Sequence, residues 1–288
     1  MTRDFVKEWE TGLIRLAPEI YAYVQAAGSA GISNAGLVIG PDRAIVVDAL
    51  ATSPMALDFL GRIRTVTGLP VTHVFVTHHH ADHFLGLQNF LPAQIVSHSL
   101  CREEILRVAP DVIERWSKGH PQLADGLRGV RICFPDQTFE GEMTFHLGDL
   151  EIRFFHLGTG HTRGDGLIYL PRRKLLFAGD VAFHKVTPQG FHGHIGNWIR
   201  IVGTILEMDV EIIVPGHGPV GGKAELMEMR DYLLWVYNEA KNCFNRGLSE
   251  SEAVTAIDVG PYRSWAEAGR LKGNIERSYS EFRGELPI

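Results

Sequence analysis

The stretch Val71 to His83, VTHVFVTHHHADH, packs four side chains able to bind a metal, His78, His80, Asp82 and His83, into six residues. Imidazole nitrogen and carboxylate oxygen are what a borderline ion such as zinc accepts. Val71, Val74, Phe75 and Val76 make a β-branched and aromatic run ahead of them, which predicts a buried strand. An extended backbone turns His78 and His80, two apart, the same way. Asp82 and His83 follow where the strand must break, and can serve a second point just beyond. A merely histidine-rich surface loop would not need a buried strand in front of it. His79 falls on the opposite side and is read as structural.

Three later stretches end alike. EIRFFHLGTGH closes on His161, KLLFAGD on Asp180 and EIIVPGH on His217: an apolar strand, a glycine, then one ligand-type residue. Glycine lets the backbone turn sharply and approach closely. Together with the first cluster they supply His78, His80 and His161 for one ion, Asp82, His83 and His217 for another, and Asp180 between them. Two metals about 3.5–4 Å apart share a carboxylate and a water whose pKa falls from 15.7 toward about 7. Such a pair makes hydroxide available at neutral pH without a serine or cysteine nucleophile. Asp48 ends another apolar run, Ala44 to Val47. It reads either as a simple turn or cap aspartate or as a neighbour of the cluster.

The elements that must position these groups are legible as alternating strands and helices. Residues 12–26 read as paired short strands, and Gly36–Ile39 with Ala44–Val47 as a hairpin around Gly40-Pro41-Asp42-Arg43. Residues 54–66 have helical spacing of Met55, Phe59, Ile63 and Val66. After the histidines come a short helix at 84–90, a strand at 94–97, and a helix over 99–117 interrupted or kinked at Pro110. From Gln137 the pattern returns to β, with a hairpin at Gly148-Asp149. Strands follow at 167–170, 174–178 and 211–214, with a helix at 197–208. Beyond Gly222 the chain reads as helical to its end, 223–245 and again from Ser249. We expect one domain over 1–288, helical from about 223, with sheets packed together and helices outside.

Composition narrows the function classes. Hydrophobic content of 45% and charged content of 22% suit a soluble globular chain, and a net charge of −6 gives no reason to expect nucleic acid. The three cysteines are scattered and form no CxxC pair or disulfide framework, which fits a reducing compartment. MTRDFVKEWETG has no apolar core of export-signal length, and no run approaches the ~18–20 apolar residues of a membrane span. A cytoplasmic protein with a small-molecule substrate, and with no membrane partner, is the expectation. A homo-oligomer is compatible with this composition.

HHHADH, GHTRGD, FAGD and PGHG, in this order and spacing, resemble the motifs of the metallo-β-lactamase superfamily from about Asn34 to His217. The resemblance implies an α/β fold, a four-layer αββα sandwich with the metals at one edge of its two sheets, here followed by C-terminal helices. It implies the same seven ligands and places Asp48 beside them, orienting a histidine. The implied cofactors are two Zn2+, with iron or manganese as substitutes. True β-lactamases of the superfamily lack an aspartate at the Asp180 position. Its quorum-quenching lactonases have one, but carry a tyrosine where Phe183 stands, and a second histidine where Asp165 stands. Glyoxalase II enzymes share the motifs, but no basic CGR-type segment follows Asp180 here.

The expected activity is therefore metal-dependent hydrolysis of a small acyl compound, an ester or lactone before an amide or thioester. Asp82 would bind metal and orient the nucleophile, and His184 would donate to the oxyanion or leaving group. VAFHKVTPQGFHGHIGNW, after Asp180, is the expected pocket wall, through Phe183, Phe191, His192, His194 and Trp198. A metal-dependent carrier or binding protein is the non-enzymatic alternative.

Overall fold

The computed structural model describes residues 9–286. The opening residues read above for an export signal lie, as far as residue 8, outside the described residues. A first sheet holds β1 (Gly12–Ala17), β2 (Ile20–Val24), β3 (Ala35–Ile39), β4 (Ala44–Val47), β5 (Val71–Val76), β6 (Gln94–His98) and β7 (Gln137–Phe139), in that order across the sheet. Hairpins make the first four antiparallel, and β4 to β7 run parallel. Parallel neighbours need crossovers, and helices supply most of them: α1 (Ser53–Val66), α2 (Ala81–Phe84), α3 (Ser99–Val108), α4 (Val112–Gly119) and α5 (Ala124–Leu127). Thr52 caps α1 by accepting from the Met55 amide, and Pro54 stands in the first turn, where no donor is missed. Residues 99–117 divide into α3 and α4 around Pro110, the interruption that a ring without an N–H predicts.

The second sheet runs β12 (Ile212–His217), β11 (Leu175–Phe183), β10 (Leu167–Leu170), β9 (Leu150–Phe155), β8 (Glu142–Leu147). Period-two alternation packs the two sheets face to face. Phe75 and Val96 of the first sheet share a buried layer with Phe154, Ile168 and Phe177 of the second. Val74 and Val76, one residue either side of Phe75, face the helices instead. Burying a Phe or Val side chain stabilises the fold by about 1.5–3 kcal/mol, so a one-residue slip of β5 would be costly and would also turn its histidine end away. On the outer face of the second sheet lie α6 (Ile195–Glu207), α7 (Lys223–Asn245), α8 (Glu250–Ala256) and α9 (Leu271–Phe282). The expected four-layer sandwich is what forms.

Two elements differ from their sequence reading. β11 and β12 run further than expected, to Phe183 and His217, because the glycines do not end them. Gly179, at φ +50°, instead sits at a register shift between the two parallel strands, so that Asp180 lies within a continuous strand. The tail after Ser249 is not helical throughout. α8 stops at Ala256, Gly260-Pro261 breaks the backbone, and 257–270 runs in short 3-10 turns before α9. This irregular piece is tied to the segment after β11: Thr187 donates to Ala266 O at 2.9 Å, and Ala266 to Lys185 O at 3.2 Å.

Candidate metal centre

The strand ends bring the seven expected donors to one edge of the sandwich. His78 follows β5 by two residues and His80 caps α2, which carries Asp82 and His83 on its single turn. His161 comes from the loop after β9, Asp180 from β11 and His217 from the end of β12. His78, His80, His161 and Asp180 offer ligand atoms within 4.8 Å of one another, and so do Asp82, His83 and His217. His80 Nδ1 lies 2.8 Å from His161 Nε2, and His217 Nε2 lies 3.4 Å from Asp82 Oδ2. Asp180 stands between the groups, its Oδ1 3.1 Å from His83 Nε2 and its Oδ2 3.2 Å from His161 Nε2.

Four of the five imidazoles are oriented by a partner on the far nitrogen, and His161 Nδ1 is buried without one. His83 Nδ1 lies 2.8 Å from Asp48 Oδ2, His217 Nδ1 3.1 Å from Gly28 O, and His78 Nδ1 3.0 Å from Thr77 Oγ1. Asp48 itself accepts from the Thr77 amide and hydroxyl, both at 2.8 Å, and sits at φ +59° at the end of β4. The resemblance placed it beside the ligands, and there it lies. His80 Nε2 lies 2.8 Å from His192 Nδ1, and the ring of Phe191 stacks on His80 at 5.4 Å.

The donor set suits a metal. His78 Nε2, His83 Nε2 and Asp180 Oδ1 are buried at the convergence point without a hydrogen-bond partner, a state proteins rarely leave uncompensated. Burial, reinforced by neighbouring imidazoles, pushes His78 and His80 well below the ordinary histidine range. Burial also lowers His161, to about 4, with Asp180 opposing it. Asp180 would be raised by burial, yet His217, His83 and His161 hold its carboxyl below the ordinary range. Burial alone would lower His83, but Asp180 and Asp48 raise it well above its usual value. Neutral His78, His80 and His161 around an ionised Asp180 are the protonation states that metal binding requires, whereas His83 must release its proton when an ion binds.

Beside the cluster lies a cavity of about 290 Å³. His161, Asp180, Asp82 and His217 reach it from one side, and Val108, Val112, Trp116 and Phe191 give it an apolar wall. Of the expected pocket residues, only Phe191 and His192 line it. Phe183 instead stacks behind His217, at 5.3 Å between ring centroids and 5° between planes. Trp198 is fully buried edge-on to His161, its indole donating to Val181 O at 2.9 Å. His194 caps α6 by accepting from the Asn197 amide, and Glu281 stands 3.3 Å from it.

His184 is a correction. Its ring is wholly buried away from the cavity, with Nδ1 3.0 Å from Pro219 O, and its backbone N–H donates to His217 O at 3.1 Å. It braces the His217 loop and is not among the residues that line the cavity. His79, read as structural, does line the cavity, and both its ring nitrogens are buried and unpartnered. Gln189, Arg115 and Arg270 were also missed as wall residues. Gln189 belongs to a loop and Arg270 to the irregular tail, where no period announces a role. Arg115 has helical spacing but no metal-binding chemistry to mark it.

The chain is similar to several characterised proteins. It is 21% identical to a linear primary-alkylsulfatase of Pseudomonas sp. (strain ATCC 19151), over 86% of this chain and 55% of that protein. It is 23% identical to a metallo-β-lactamase type 2 of Bacillus cereus, over 78% and 84%. Among solved structures, a stereoselective inverting sec-alkylsulfatase from Pseudomonas sp. superposes with a TM-score of 0.76 at 18% identity, covering 96% of this chain and 51% of that one. The chain thus spans about half the length of the alkylsulfatases it matches. These relatives bear out the expectation of a metal-dependent hydrolase at that coarse level. The family description "Metallo-beta-lactamase superfamily" matches residues 28–217, which span β3 to β12 and all seven donors; the chain belongs to the metallo-β-lactamase superfamily.

Proposed function

We propose that the chain hydrolyses small esters with two zinc ions, iron or manganese being able to replace them, held by His78, His80, Asp82, His83, His161, Asp180 and His217. The observation that carries the reading is Asp180, whose two oxygens face the two donor groups at 3.1 and 3.2 Å beside an open cavity. Bound there, the ions would supply a hydroxide nucleophile at neutral pH and polarise the group under attack. The chain's own part is orientation. Asp82 accepts from the Gly31 amide on Oδ2 at 3.1 Å, which fixes the carboxylate so that it could ligate an ion and accept a hydrogen bond from the nucleophile, orienting it. His192 and Asp48 hold His80 and His83 in the ligating orientation. Val108, Val112, Trp116 and Phe191 offer an apolar wall for the acyl or alcohol part. With His184 turned away, oxyanion stabilisation falls to the metals and to donors of the cavity wall.

Carboxylic esters and lactones are the first substrate class, and sulfate esters the second. The second is supported by the alkylsulfatase relatives, which match more of the chain than the β-lactamases do. Turnover of p-nitrophenyl acetate, a γ-lactone, p-nitrophenyl sulfate and a penicillin by the zinc-loaded protein tests the reading. Hydrolysis of an ester that disappears on chelation and returns with zinc supports it. Inactivity toward every ester, or a preference for the penicillin over all of them, would overturn it.

A further inference from the structure

One charged residue at the cavity has no place in the metal centre. Arg270 ends the irregular 257–270 segment, and its side chain is only 8% exposed. Its guanidinium lies over the Phe183 ring at 5.8 Å, and Nη1 donates to Thr187 O at 2.9 Å. Phe183 in turn stacks on His217, so the cation is held one ring away from the metal ligands. Its Nε is buried and has no hydrogen-bond partner. The nearby carboxylate, Glu267, stands 3.8 Å off, too far for a charge-assisted hydrogen bond.

A buried guanidinium is costly unless an anion completes its hydrogen bonds. Here it borders the same cavity as Asp180 and His217, where bound divalent ions would add more positive charge. With a neutral ester the guanidinium faces only Glu267, at 3.8 Å, and the carboxylates of the metal centre, which bound ions would engage. An oxyanion in the cavity would answer the charge directly, because the planar fork of arginine matches a pair of oxygens. Residue 270 also lies beyond the segment 28–217 that carries the superfamily match, so the family resemblance assigns it nothing.

We propose that Arg270 is the anion-binding residue of the cavity, and that the substrate carries an oxyanion group beside the bond that is cleaved. Two sources share this chemistry: the sulfo group of a sulfate monoester, and a carboxylate on the acyl part of a carboxylic ester. The proposal rests on reading the cavity as the substrate site of a hydrolase.

The test measures binding before turnover. Inorganic sulfate and acetate are titrated calorimetrically into zinc-loaded wild type, R270A, R270Q and R270K, with zinc content and melting temperature checked for each. Losing a charged hydrogen-bonded pair should weaken binding about 10-fold or more in R270A and R270Q, while R270K keeps most of it. R270Q retains a donor for Thr187 O, so it decides the matter if R270A does not fold. Sulfate held equally by wild type and R270Q, or bound by neither, overturns the proposal. Kinetics with p-nitrophenyl sulfate, mono-p-nitrophenyl succinate and neutral p-nitrophenyl acetate then separate the two sources. Whichever anionic substrate is used should lose kcat/KM about 10-fold or more in R270Q relative to the neutral ester. Arginine-dependent sulfate binding without turnover of any ester would sink the hydrolase reading and leave the anion site standing. Turnover of the neutral ester with arginine-independent binding would do the reverse.

Discussion

At the residue scale, the histidines proposed as ligands matter no more than the groups that aim them. Asp48 accepts three hydrogen bonds, two from Thr77 and one from His83, and so joins the ends of β4 and β5 to one donor. Asp48→Asn keeps the shape but removes the charge that raises His83's basicity. Zinc affinity, measured by competition with a chromogenic chelator, should fall about 10–100-fold for one of the two ions; an unchanged affinity would show that Asp48 is only a turn residue. His184 makes the opposite case. Because its ring turns to Pro219 O and not to the cavity, His184→Ala should cost about 1–3 kcal/mol of stability and keep the wild-type zinc stoichiometry. A variant with normal melting temperature and zinc content but lost turnover would restore the catalytic role expected from sequence.

At the scale of elements, the site depends on how closely β11 and β12 approach. A Cβ on Gly216 would lie 1.9 Å from Asp180 Oδ1 and 2.9 Å from the Asp180 amide. Gly216→Ala must therefore displace the carboxylate between the two donor groups, although Gly216 ligates nothing. Elemental analysis should find less than the wild-type zinc content in a protein whose circular dichroism still reports the sandwich; full zinc occupancy would mean that Asp180 is not held where we place it. The same elements explain what could be read beforehand. All seven donors follow apolar strand runs, with glycine before three of them, so strand periodicity and glycine alone located them. Phe183, His194 and Trp198 stood in the right stretch but face other partners, because β11 continues past Gly179 and α6 turns Trp198 inward. The apolar wall from α3 and α4, and Arg270 from the broken tail, were illegible. Their nearness to the site is set by tertiary packing and not by any local pattern.

At the scale of the whole molecule, the buried histidines tie stability to pH. Burial lowers His161, His184 and His192 to about 4 in the folded chain, against about 6.5 when unfolded. Between those values the unfolded chain binds more protons, so their contribution is full above about 6.5 and is lost as pH falls toward 4. Asp165, which burial raises to about 7, opposes them: its contribution is full below about 4 and is lost as pH rises through 7. His83, held well above its usual value, opposes them too, but His78 and His80, pushed well below theirs, act with the other three. Five groups outweigh two, and the metal-stripped protein should melt lower at pH 4.5 than at pH 7; a higher melting temperature at pH 4.5 would contradict the protonation states assigned to these rings. Among the described residues no helix is long and apolar enough to cross a membrane.

The central claim is that two sheet ends and their loops hold a pair of metals with Asp180 between them. Its most direct test is the zinc content per chain after loading and exhaustive dialysis, by elemental analysis of wild type and Asp180→Asn side by side. Two donor groups, each within 4.8 Å, predict two zinc ions in the wild type and at least one fewer in the variant, since the shared carboxylate would no longer carry its charge. One tightly held zinc in the wild type, unchanged by further zinc and unaffected in Asp180→Asn, would contradict the account.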